Sequence, residues 1–181
     1  MKSKTLTATL ILSACLSITA SASPQRDHLT PQEVDVVKEA QILDKRIEVF
    51  IKAIDRRLIV LNGTQTANAK QLKKDAELWG DLPSGSNAEL ISDIARILDE
   101  AITNIDDVSG RDERNPLIGK SLRRLAQAVN NITTQLAPFR EKAKTEAEVA
   151  SLEMLIDDAE QILAAVKKLP PEVEKKGKSK N

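Results

Sequence analysis

The 181-residue chain carries 27 basic and 27 acidic side chains, is formally neutral, and is only 2% aromatic with no tyrosine. That balance excludes a general nucleic-acid binder, which needs a basic surface, and a base-stacking platform, which needs exposed rings. The shortage of aromatics also argues against a β-sandwich, and a lone cysteine excludes a disulfide within the chain.

Lys2 and Lys4 precede an uncharged apolar run from Leu6 to Ile18, followed by small residues and Pro24. A basic start, a short apolar stretch and a small-residue exit have the form of a secretory signal peptide, residues 1–22. The run is too short for a membrane span of about 20 residues. Two processing sites compete. Ala20-Ser21-Ala22 directs a cut before Ser23, whereas Leu12-Ser13-Ala14-Cys15 resembles a bacterial lipobox, in which Cys15 carries the lipid. The first gives a free periplasmic or secreted protein. The second gives one anchored to the envelope, the only route to a membrane. Either way no thiol remains for catalysis.

A cut before Ser23 leaves about 160 residues, enough for one domain. After a flexible lead-in, residues 23–29, the helical domain is expected over 30–169. Thr30-Pro31-Gln32-Glu33 is a capping box with proline at the first helical position. Apolar residues then recur at 36, 40, 43, 47, 50, 54, 58 and 61, in steps of three and four that keep one helix face apolar. The spacing predicts one helix from Pro31 to Leu61, about 46 Å long, stopped by Asn62-Gly63.

Residues 62–86 form a long connection, with a short helix expected from Lys70 to Trp79 and closed by Gly80. Ser86-Asn87-Ala88-Glu89 is a second capping box. It opens a stripe at Ile91, Ile94, Leu98, Ala101, Ile105 and Val108, with Ser109-Gly110 as the expected end. Asn115-Pro116 opens a third stripe at Ile118, Leu122, Leu125, Val129, Ile132 and Leu136, which Pro138 should end or kink. Thr145-Glu146-Ala147-Glu148 is a third capping box, at the start of the last helix or inside one that begins near Pro138. Its stripe is Leu152, Leu155, Ala159, Ile162, Val166 and Leu169, closed by Pro170-Pro171. The Lys-rich remainder of 170–181 lacks periodicity and reads as a disordered tail.

No stripe can be buried by its own helix. Four such helices predict an all-α, antiparallel up-down four-helix bundle with a long connection between the first and second helices. A long dimeric coiled coil is the alternative, and a homodimer fits either. The segment 87–108 is acidic, with Arg96 the only base against six carboxylates, while 117–136 holds Lys120, Arg123 and Arg124 and no acid. Opposite charge on sequence neighbours is expected to pair these two helices side by side.

Helical bundles often hold metals or haem. Here no Glu-x-x-His, no Cys-x-x-Cys-His and no glycine-rich phosphate loop occurs. His28 is the only histidine and reads as a solvated residue of the lead-in. No catalytic, cofactor-binding or metal-binding set is therefore assigned. The acidic pairs Asp106-Asp107 and Asp157-Asp158 point about 100° apart on a helix and read as solvated faces. Arg56-Arg57 and Arg123-Arg124 are candidates for clamping an anion or a partner carboxylate, against a reading as rim charges. Trp79 is a candidate partner contact, against a packing anchor under the long loop.

The stretch from Gln32 to Gln41, continued by Asp44 to Ala53 and Asp55-Arg56-Arg57-Leu58, resembles a segment of uncharacterised exported bacterial helical proteins. The likeness covers the first helix and implies export and helicity, with no activity to carry over. Leu29-Thr30-Pro31-Gln32 is similar to the L-T-x-x-Q repeats of Spy-like periplasmic chaperones, with Gln32 one position early and no second copy. Together these features lead to an expected non-catalytic exported protein that acts through protein contacts in the bacterial envelope. The alternatives are a chaperone-like or sequestering protein, and a binder of a small ligand or metal.

Overall fold

A computed structural model describes residues 26–171. The expected signal peptide, both candidate processing sites with Cys15, and the expected tail beyond Pro171 lie outside the described residues. The described chain is all-helical, with six helices and no strand: α1 (Pro31–Glu39), α2 (Leu43–Leu61), α3 (Ala69–Trp79), α4 (Asn87–Arg111), α5 (Pro116–Arg140) and α6 (Glu146–Lys167). None of the described helices is long and apolar enough to cross a membrane.

The helix starts follow from local chemistry. Thr30, Ser86 and Thr145 each accept the backbone N–H three residues on, and Glu33, Glu89 and Glu148 reach back to close three capping boxes. Asn115 caps α5 through the Leu117 N–H ahead of Pro116. Two ends differ from expectation. α4 runs through Ser109-Gly110 to Arg111, whose Nε donates to the Asp107 carbonyl. α5 runs through Pro138, close enough to its end that the missing N–H costs one bond of the last turn.

The expected rod from Pro31 to Leu61 is two helices. It breaks at Ala40–Ile42, and α1 folds back along α2, so that Arg46 donates to the Ala40 carbonyl while Glu33 reaches Arg57. Neither glycine nor proline marks the break. Folding back leaves Leu29, Val36 and Glu33 buried. Residues 26–29 are likewise docked: Leu29 joins the core, and the His28 carbonyl accepts from Arg57.

α2, α4, α5 and α6 enclose the core. α2 and α6 each pack against both α4 and α5, whereas α4 and α5 touch little and α2 and α6 not at all. Arg46 meets Asn104 and Arg57 meets Asp93, so α2 and α4 are antiparallel. Asp44 meets Lys120 and Asn62 meets Gln135, so α2 and α5 are parallel. The acidic α4 and basic α5 are therefore not side by side. The short link Asp112–Asn115 carries the chain across the core; Asp93 and Glu100 of α4, and Lys120 and Arg124 of α5, pair with other segments instead.

Every apolar stripe position is buried or half-buried, with Ile47, Phe50, Ile54, Ile94, Leu98, Leu125 and Val129 fully enclosed. α4 is covered on more than one face, because Leu90 and Ile97 are buried beside the stripe.

Gly80 ends α3 with φ +61° and ψ −161°, and a Cβ there would lie 3.0 Å from Gln32 side-chain carbons of α1. Gly80→Ala is expected to cost about 1–3 kcal/mol through backbone strain alone. Urea unfolding checks this, with Gly63→Ala as a control: that glycine also has positive φ but has nothing within 4 Å of its would-be Cβ.

Candidate functional site

The arginines singled out by sequence occupy two different settings. Arg56 and Arg57 are only 3% and 1% exposed. Both converge on Glu33, which is fully buried. Arg57 donates to Glu33 Oε1 and Oε2 at 3.0 and 2.8 Å, a bidentate pair, and to the carbonyls of Ala53 and His28. Arg56 donates to Glu33 Oε1 at 3.1 Å and to the carbonyls of Trp79, Gly80 and Asp81. It thus caps the carbonyl end of α3, where a cation is favoured. Asp93 of α4 completes the cluster, 3.6 Å from Arg57 and 2.8 Å from Arg26. Burial pushes the Asp93 carboxyl up, and Arg57 and Arg26 pull it only part of the way back. These two arginines are neither rim charges nor a free clamp. Their hydrogen bonds are made inside the chain, and their one buried donor left without a hydrogen bond among the described residues, Arg57 Nε, lies 3.6 Å from Asp93.

Arg123 and Arg124 are more open. Arg124 pairs with Glu48 of α2, and Arg123 donates to the Pro170 carbonyl. Next to them Lys120 pairs with Asp44, whose carboxyl is held low chiefly by that hydrogen bond. Trp79 is 4% exposed, a packing anchor, with Lys52 Nζ 4.8 Å and the Arg56 guanidinium 5.6 Å from its ring centroid. Burial removes it from any partner-facing surface. His28 is also not solvated. Its side chain is 17% exposed, and Nε2 lies 2.7 Å from Glu100 Oε2 of α4.

The structure also creates a concavity that no sequence motif announced. A groove of about 570 Å³ opens between α2, α3 and α5. Ile51, Ile59, Leu72 and Ala128 supply its apolar lining, and Asn68, Gln71, Gln127 and Asn131 its carboxamides. Its charged residues are Glu48, Lys52, Asp55, Arg56, Asp75 and Arg124. Lys52 and Asp75 are paired at 2.8 Å. Asp55 makes no hydrogen bond or ion pair among the described residues, and burial pushes its carboxyl up without a cation to offset it. The groove falls in the usual volume range of ligand sites, about 300–1,000 Å³. Sequence reasoning missed it because its walls come from three segments far apart in the chain. The only local signal was Asp55 beside the apolar stripe of α2.

Of the acidic pairs, Asp106, Asp107 and Asp157 are exposed. Asp158 is buried, and its Oδ2 has no hydrogen-bond partner among the described residues. Its carboxyl is pushed up to about 6, first by burial and then by Asp99 and Asp157. Among the described residues, no group of three or more His, Cys, Asp or Glu side chains is placed to hold a metal ion. No protein-family model matches the chain, and no curated protein or solved structure resembles it at a significant level.

Two outcomes follow for stability. Glu33→Ala leaves two buried guanidinium groups without their shared carboxylate and is expected to cost about 3–5 kcal/mol in denaturant unfolding. Asp158 acts in the opposite sense. Its folded pKa lies above the ordinary 3.8, so the fold is favoured when it is protonated and loses that advantage as pH rises from 3.8 to about 6. Asp158→Asn is expected to raise stability near pH 7 by about 1–2 kcal/mol and to flatten that pH dependence. Thermal melts between pH 4 and 8 check the slope.

Proposed function

We propose that the chain is an exported, non-catalytic helical-bundle protein that acts through protein contacts in the bacterial envelope, with the α2–α3–α5 groove as its contact surface. In this reading α2, α4, α5 and α6 are the four helices of a bundle in which α2 and α5 are parallel neighbours, unlike the expected antiparallel up-down order, and α1 and α3 are additions that build one side wall. The basic start, apolar run and small-residue exit of residues 1–22 support export.

The groove carries the reading. It combines an apolar lining with carboxamides and charges of both signs, the chemistry of a site for a polypeptide. It follows α2 from Glu48 to Ile59, about 16 Å of helix. That length suits about five residues of extended chain. A small ligand is the second reading, favoured by the volume alone. The chaperone-like reading gains no support from the described surface: among the described residues the large exposed apolar side chains are Ile42, Leu78, Val149 and Met154, spread over three segments.

Site-specific photocrosslinking in the native envelope tests the proposal. A crosslinker at Gln71 or Gln127, both groove-lining, is expected to trap one discrete protein. A crosslinker at the exposed Glu160 of α6 is expected to trap none. Filling the groove with Ala128→Trp should cut the adduct at least tenfold while leaving the helical content unchanged. Equal adducts from groove and control positions, or none from the groove, would sink the reading.

A further inference from the structure

The groove contains one charge that the chain does not balance. Each of its cations is engaged: Lys52 with Asp75, Arg124 with Glu48, and Arg56 with Glu33 and three carbonyls. Of its anions, Glu48 and Asp75 are matched by those same contacts. Asp55 alone is unmatched among the described residues. It is half-buried, so water compensates it only in part.

We propose that the groove receives a basic segment of a partner polypeptide, whose lysine or arginine side chain pairs with Asp55. This rests on the reading of the groove as a protein-contact surface and names the chemistry of what it takes. The free chain bears the cost of a partly desolvated carboxylate with no counter-charge. A cation docked there recovers that cost as a charge-assisted hydrogen bond. Ile59 and Leu72 line the same groove and can cover the aliphatic stem of a long basic side chain. Gln127 and Asn131 offer donors and acceptors to an extended backbone. A free amine would satisfy Asp55 and leave most of the groove's length empty, which is why a polypeptide is the occupant.

Trp79, the only tryptophan, reports on the site, because Lys52 and Arg56 both line the groove and lie over its ring. The processed full-length protein is titrated with three end-capped pentapeptides. Each has flanking leucines and a central lysine, norleucine or glutamate. Butylammonium is the fourth probe. The lysine peptide is expected to bind saturably and at least tenfold more tightly than the others, and Asp55→Asn should erase its advantage over norleucine.

Equal binding of lysine and norleucine peptides, or an unchanged preference in Asp55→Asn, would overturn the pairing and leave the groove standing. Butylammonium binding as tightly as the lysine peptide would overturn the polypeptide assignment. A second measurement covers the case in which none of the peptides binds. Asp55→Asn should lower the Gln127 crosslink to the native partner at least tenfold. An unaltered adduct overturns the cation pairing, whereas loss of every groove adduct in the unsubstituted protein removes the protein-contact reading itself.

Discussion

The carboxylate of Glu33, enclosed between two adjacent arginines of α2, fixes the arrangement of half the molecule. A buried ion pair is weak evidence of net stability, because desolvation consumes most of the Coulombic gain. Its weight here is in specifying one geometry. Glu33 has a single place where its charge is matched, and reaching it requires the chain to break after α1 and fold back. The same two guanidinium groups hold the carbonyls of His28, Ala53, Trp79, Gly80 and Asp81. One cluster thereby sets the lead-in, α1, the end of α3 and the upper part of α2. Asp93 and Arg26 extend it to α4. The hydrophobic stripes supply the bulk of the driving force. They are tolerant of alternative packings, and the ion cluster is not.

That division explains which parts of the fold could be read from the chain. The three capping boxes, the Asn115-Pro116 start and the glycine after Trp79 are local chemistry, and each stands where the residues put it. Each stripe position is at least half-buried, because three-four spacing allows one apolar face and that face must be covered. The break at Ala40–Ile42 was invisible for the same reason. The steps 36, 40, 43 and 47 continue unchanged through it, so the pattern is compatible with one rod or two. Only a distant contact, Glu33 with Arg56 and Arg57, decides between them. Adjacent charges on a helix normally face water. Nothing local distinguishes Arg56-Arg57, which are buried, from Arg123-Arg124, which are not.

The order of helices around the core was illegible on similar grounds. Sequence adjacency and opposite charge both suggested α4 beside α5. Yet α4 has two neighbours to satisfy, and its more enclosed carboxylates are already claimed: Asp93 by Arg57 and Arg26, Glu100 by His28. Lys120 and Arg124 of α5 are claimed by α2, through Asp44 and Glu48. Exposed pairs are worth about 0–1 kcal/mol each, too little to override apolar packing. Charge here follows the helix order rather than dictating it.

The groove is a consequence of the same cluster. α3 is held to α2 at its end, where Arg56 donates to three carbonyls and Trp79 is buried. Lys52–Asp75 ties α3 to α2 further along. Between these ties and α5 the side chains do not meet, and the gap is the groove. Its α3 wall is therefore held by the Lys52–Asp75 pair and by the grip of Arg56 on the end of that helix. A buried network that looks like a matter of folding is what gives the groove its shape.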